Sequence, residues 1–268
     1  MEEKKHIEIT LHHKIVSRLL KIDMSSSKPL FSLGLLLFCL FVHEATAADP
    51  LYHFCFGKQY FHPNGPFEAN LNSLLNRLST KVIPPNGFGL GSSGQGPNQV
   101  NALGLCRGDV SKTNCKICIN EAIKELGNRC PRNKGAIIWY DNCLLKYSDK
   151  YFFGEIDTTN EFYKWNNGVV EDPASFDPKV KELLSNLAYK VTATSKLFAT
   201  GHVKLGYSKE KKLYGLVQCT RDLDGPKCTK CLNDAITKLP RYSAGKRGGR
   251  VVGGSCNVRF ELYPIVNS

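Results

Sequence analysis

The sequence predicts an α+β protein made of two tandem, disulfide-stapled domains, each an antiparallel sheet packed with two helices. Three observations carry this prediction. The 268-residue chain repeats itself at an offset of 113 residues. Each copy carries the spacing Cys-x8-Cys-x2-Cys, at Cys106–Cys115–Cys118 and at Cys219–Cys228–Cys231. Each copy also runs through the same succession of helix-like and strand-like segments, and an internal repeat of this kind marks tandem structural units.

Residues 1–47 read as an N-terminal extension and a secretory signal. The apolar run "PLFSLGLLLFCLFV" (29–42) follows Lys28 and is followed by Ala45 and Ala47, small residues at −3 and −1 of a cut after Ala47. Met24 reads as the start of a conventional signal. Without 1–47, Cys39 is gone and ten cysteines remain. The remaining chain has 30 basic and 19 acidic residues, a formal charge of +11. No later stretch is apolar enough to span a membrane, and no Asn-x-Ser/Thr sequon is present. The expected product is secreted into an oxidising, extracellular space, where cysteines form disulfides.

The first domain is expected at 48–157 and the second at 158–268. Each opens with a helix: "FEANLNSLLNRL" (67–78) and "FDPKVKELLSNL" (176–187). Leu71, Leu74, Leu75 and Leu78 match Val180, Leu183, Leu184 and Leu187, an i, i+3, i+4, i+7 stripe on one helix face. Asp177 followed by Pro178 reads as a helix start, because Asp caps and Pro suits the first turn. A turn-rich stretch follows in each copy, "PPNGFGLGSSGQGPN" and "ATGHVKLGYSKEKK". Within the first, "GLGSSG" (89–94) matches a dinucleotide fingerprint but does not open a helix, so it reads as a flexible loop. A short strand ("NALGLC", "YGLVQC") and a second helix beginning at Cys-x-x-Cys come next. Two strand-like runs, 135–149 and 248–264, close each copy. The stretch "GKRGGR" (245–250) reads as a solvated basic turn. The second copy, with 18 basic and 10 acidic residues, is expected to carry an exposed basic face.

About 110 residues make a small core, so staples are expected. The first copy has Cys55, Cys106, Cys115, Cys118, Cys130 and Cys143; the second keeps Cys219, Cys228, Cys231 and Cys256. Ser243 stands at the Cys130 position, and Lys164 or a neighbour at the Cys55 position. Two cysteines lost together point to a Cys55–Cys130 bond, which leaves four cysteines per copy to pair in either of two ways. Zinc needs four ligands, usually in two close pairs. Each copy has one Cys-x-x-Cys and no second pair, and His53, His62 and His202 show no ligand spacing. A Cys-x-x-Cys at a helix start suits redox chemistry, but here further cysteines stand at fixed distances to consume it. No metal, no cofactor, no catalytic residue and no nucleic-acid partner are expected.

The doubled cysteine spacing, the signal and the ending "GGRVVGGSCNVRFELYP" resemble the plant cysteine-rich repeat secretory proteins, whose repeat is similar to the antifungal seed protein ginkbilobin. The same repeat forms the outer part of cysteine-rich receptor-like kinases and plasmodesmata-located proteins. The resemblance covers nearly all of 48–268. It implies a five-stranded antiparallel sheet with two helices per repeat, and the bonds Cys55–Cys130, Cys106–Cys115, Cys118–Cys143, Cys219–Cys228 and Cys231–Cys256. It also implies a secreted, non-enzymatic defence protein of the apoplast, with a mannose-containing glycan or cell-wall polysaccharide as partner. The other reading it implies is an apoplastic signalling or structural partner of a receptor-kinase ectodomain, with no sugar site. The mannose-binding Asn, Arg and Glu of ginkbilobin-like members fall on Phe56, Ile137 and Ser148 in the first copy, which cannot serve. In the second copy they fall on Asn166 or its neighbour Asn167, on Arg250 and on Glu261, chemically suited to directed hydrogen bonds with sugar hydroxyls.

Overall fold

The computed structural model describes residues 49–206 and 212–266. The expected signal at 1–47 lies outside the described residues. The first repeat runs β1 (Tyr52–Tyr60), α1 (Pro66–Arg77), β2 (Phe88–Ser93), β3 (Val100–Cys106), α2 (Lys112–Arg129), β4 (Asn133–Trp139) and β5 (Cys143–Ser148). The second runs β6 (Glu161–Trp165), α3 (Pro173–Val191), β7 (Phe198–Lys204), β8 (Lys212–Cys219), α4 (Gly225–Lys238), β9 (Gly248–Gly253) and β10 (Cys256–Glu261). Each repeat makes one five-stranded antiparallel sheet, ordered β1-β4-β5-β3-β2 and β6-β9-β10-β8-β7. The α+β architecture is the one the sequence predicts.

Each sheet buries one face under its two helices. Leu71, Leu74 and Leu75 of α1, with Leu78 just after it, pack with Ile119 and Leu126 of α2 over Ala102, Ile138 and Leu145. Val180, Leu183, Leu184 and Leu187 of α3 pack with Leu232 and Ile236 of α4 over Val217, Val251 and Phe260. Fully burying one such side chain contributes roughly 1.5–3 kcal/mol. Bonds join Cys106 to Cys115, Cys118 to Cys143 and Cys55 to Cys130 in the first repeat, and Cys219 to Cys228 and Cys231 to Cys256 in the second. Ser111 and Asp224 cap α2 and α4, each accepting a backbone N–H three residues on, so the Cys-x-x-Cys pairs sit in the first two turns.

Two local expectations are corrected. Helix α3 begins four residues before Asp177, at Pro173, with Asp172 as its cap; Asp172 accepts from the Ser175 amide and hydroxyl. Pro178 lies inside the helix. The Asp177 carboxylate instead accepts the Gly245 N–H, fixing the loop before β9. The segment "GLGSSG" is not a loop either, but most of strand β2, paired along its length with β3. Its glycines answer to packing: a Cβ on Gly89 would stand 2.5 Å from Val82 Cγ1, where the turn after α1 crosses the strand. Likewise β7 occupies much of the second turn-rich stretch. Both are edge strands whose glycines hide the alternation that marks a strand.

The outer faces of the two sheets meet. Leu103, Leu105, Ile137, Trp139 and Leu144 of the first repeat pack on Phe162 and Val252 of the second. Trp139 donates to the Gly253 carbonyl at 3.0 Å and Gln218 to the Cys106 carbonyl at 3.1 Å. The seam buries Phe162 and Val252 of the second sheet and leaves Lys164, Trp165 and Asn166 exposed.

Candidate functional site

The outer face of the second sheet is a small grid. Strand register sets Lys164 beside Arg250 and Arg250 beside Arg259 in one cross-strand row. In the next row the Asn166 N–H donates to the Gly248 carbonyl at 2.9 Å, and Glu261 pairs with Gly248 from the other side. Asn166, Arg250 and Glu261 therefore share one face, grouped around Gly248.

Gly248 has no side chain, and the Glu261 carboxylate occupies the notch this leaves: its Oε2 would collide with any Cβ at Gly248. The Oε1 atom accepts from Arg259 Nε at 3.0 Å, while Oε2 is buried with no hydrogen-bond partner. Burial raises the Glu261 carboxyl above its ordinary pKa, and Arg259 and Tyr263 only partly offset this. Asn166 is exposed; its Oδ1 accepts from the Gly168 N–H at 2.8 Å, which leaves the amide nitrogen to donate elsewhere.

In the first repeat the matching glycine, Gly135, is plugged by the Phe56 ring, 2.5 Å from where a Cβ would stand. Phe56 and Asn166 thus hold the same place in the two sheets, and Ile137 is fully buried in the seam. Cys55 pairs with Ala136 and Trp165 with Gly249, so Trp165 stands where the first copy has Cys55. That settles the register left open at Lys164 and puts Asn166 directly after it.

Arg250 is less available than the sequence suggests. Its Nη1 bonds Asp141 of the β4–β5 turn at 2.7 Å, and its Nε bonds Asn257 at 3.0 Å. Burial, with Arg259 and Arg107 nearby, pushes its pKa down to about 10 against the pull of Asp141, so it stays charged at neutral pH. It does not pair with Glu261. Two arginines directly across a sheet repel, and Asp141 Oδ1 answers both, lying 3.3 Å from Arg259 Nη1.

Sequence reasoning missed Arg259, although the alternation Asn257, Arg259, Glu261 along β10 marks one face. It missed Asp141 as well, which no local pattern flags because its partners are 109 and 118 residues away. The stretch "GKRGGR" is not a free hairpin turn. It enters β9 from a one-turn helix at Pro240–Ser243, with Lys246 bridged to Val169 and the Arg247 N–H on the Gly168 carbonyl. His53 lies near Cys55 and Cys130, but those sulfurs are bonded to each other.

Comparison with known proteins fits this architecture. A family model described as salt stress response/antifungal matches twice, at residues 54–150 and 164–263. An antimicrobial ginkbilobin-2-like protein of Castanea crenata is 61% identical over 91% of this chain and 100% of its own. Cysteine-rich repeat secretory protein 38 of Arabidopsis thaliana is 51% identical over 81% of this chain and 86% of its own. Among solved structures, the tandem DUF26 ectodomain of the Arabidopsis thaliana cysteine-rich receptor-like protein PDLP5 superposes with a TM-score of 0.66 at 27% identity. It covers 81% of this chain and 100% of its own. Among the described residues no helix is long and apolar enough to cross a membrane. With both repeats matched, the chain belongs to the salt stress response/antifungal family.

Proposed function

We propose that this chain is a secreted, non-enzymatic defence protein that binds mannose-type glycan at the notch formed by Asn166, Arg250 and Glu261. The observation that carries this reading is the unpartnered, buried Oε2 of Glu261 over Gly248. An acceptor left without a donor costs free energy, and a sugar hydroxyl supplies that donor. Asn166 offers amide hydrogens on one side of the notch. On the other side Arg259 orients the carboxylate through Oε1, and Arg250 in the same row adds positive charge. The first repeat, with Phe56 in the corresponding notch, takes no sugar this way.

Glu261→Gln is expected to weaken binding to mannan at least tenfold with little change in thermal stability, because Gln still accepts from Arg259 but turns a donor toward the sugar. Asn166→Ala should weaken it several-fold. Thr200→Ala, on the edge strand of the same sheet, should bind as wild type. Ile137 is unsuitable as a control because it is part of the seam. Binding should also fade as pH falls through the raised Glu261 pKa. Equal mannan affinity in wild type and Glu261→Gln, measured by calorimetry or on a glycan array, would sink the assignment. A second reading, pairing with a receptor ectodomain, is favoured by the likeness to a receptor-like ectodomain. It takes over if the wild type shows no mannan affinity at millimolar sugar.

A further inference from the structure

A second cleft, of about 250 Å³, opens between the repeats on the β2–β7 side and is walled by both. Arg107 and Lys112 line it from the first repeat, and Lys196 and Arg221 from the second. No Asp or Glu is among its lining residues.

What holds these cations matters. Arg107 is neutralised by Asp109 through two bonds, at 2.6 and 2.8 Å. Lys196 donates to the Gly108 carbonyl at 2.7 Å, and Arg221 to the Asn86 carbonyl at 2.8 Å while lying over the Phe88 ring. Both bonds cross from one repeat to the other. A carbonyl positions a cation without cancelling its charge, and Lys112 is exposed at the rim. Four cations therefore face one carboxylate, leaving three positive charges in a cleft with low-dielectric walls that concentrate the field.

We propose that this cleft binds a short carboxylated oligosaccharide of the polyuronate class. The charges come from both repeats, Arg107 and Lys112 from the first and Lys196 and Arg221 from the second, so they are shared out along the cleft. This suits several single negative charges spaced along a chain better than one compact dianion such as phosphate. Asn86 and Ser195, also in the lining, offer hydrogen bonds to sugar hydroxyls. The ligand touches both repeats, so it favours the docked arrangement and raises the unfolding temperature by mass action. This site is separate from the notch around Gly248 and stands without it.

Calorimetry of the protein with a galacturonate tetramer tests the proposal, with mannotetraose and inorganic phosphate as comparison ligands. The tetramer is expected to bind with a Kd below 1 mM, to weaken at least fivefold between 50 and 200 mM salt, and to raise Tm. Lys112→Glu, at an exposed side chain with no hydrogen bond or ion pair among the described residues, should weaken it at least fivefold. Arg221→Gln, which removes the charge and keeps a polar side chain, should weaken it similarly. Lys230→Glu, an equal charge change outside the cleft, should have no effect. The proposal is overturned by no tetramer binding, by equal binding of phosphate or mannotetraose, by wild-type affinity in Lys112→Glu and Arg221→Gln, or by an equal loss in Lys230→Glu.

Discussion

Asp157→Ala is expected to destabilise the protein by about 3–5 kcal/mol, the usual cost of stripping one partner from a buried ion pair. Lys146 lies in the middle strand of the first sheet, between Ile137 and Leu103 on the face that packs against the second repeat. Its ammonium sits 2.6 Å from Asp157 Oδ2, with both side chains under 10% exposed, and lies over the Phe152 ring. Asp157 belongs to the segment joining the repeats. It also accepts from Asn160 and Thr159, and its own N–H donates to Ser255 Oγ. Without the carboxylate, Lys146 is left charged and buried with no counterion. The double change Lys146→Met with Asp157→Asn removes both charges and should cost much less. Burial alone would raise the Asp157 carboxyl; Lys146 and the Asn160 bonds override it and hold the pKa below the usual carboxylate range. A depressed pKa contributes stability that is fully present above the unfolded value of about 3.9 and is lost as pH falls through the folded one. Urea unfolding followed from pH 6 to pH 2 should therefore show the wild type losing its advantage over Asp157→Ala only below about pH 4. A cost under about 1 kcal/mol at pH 6 would mean that Lys146 finds another partner or water.

How far the sequence reaches follows from the range of each interaction. Helix faces, caps and the copy-to-copy match are local, so the stripes Leu71–Leu78 and Val180–Leu187 and the strand-like runs around Cys143 and Cys256 could be read directly. Strands β2 and β7 were obscured because Gly89, Gly91 and Gly201 stand where side chains of α1, the turn after it and α3 press on the sheet. Glycine carries no periodicity, although a glycine at every second position is itself a mark of such pressing. The helix start moved because "EDPASFDP" holds two Asp-Pro pairs, and only the loop that Asp177 fastens decides between them. For the notch, residue types at matched positions identified Asn166, Arg250 and Glu261 as a set. They could not reveal that Arg250 is clipped to Asp141, because the docking of the two repeats is a property of surfaces with no sequence period. The basic cleft was foreshadowed only as a charge excess on the second copy. Two of its four cations, Arg107 and Lys112, come from the first.

The second repeat is expected to open before the first, and by a margin set largely by one bond. Cys55–Cys130 closes a loop of 75 residues between β1 and the end of α2, worth about 4.5 kcal/mol on the chain-entropy model. The second repeat replaces it with contacts. Tyr163 stacks on Tyr242 with ring centroids 3.7 Å apart, Trp165 lies 6.4 Å from the same ring, and Lys238 bonds Glu161 at 2.8 Å. These join β6 to the end of α4 and the turn after it, the same two places, but they vanish on unfolding and leave the unfolded chain unconstrained. Hydrogen exchange should accordingly show less protection in 165–190 than in 56–81. Tyr242→Ala should widen the gap by about 1–3 kcal/mol, less than a fully buried aromatic would cost because the ring is only half-buried. The pair Cys55→Ser and Cys130→Ser should remove most of the difference by loosening the first repeat. Equal protection of the two segments in the wild type would show instead that the Tyr163–Tyr242 stack is as strong a tie as the bond it replaces. In that case Tyr242→Ala alone should uncover the difference.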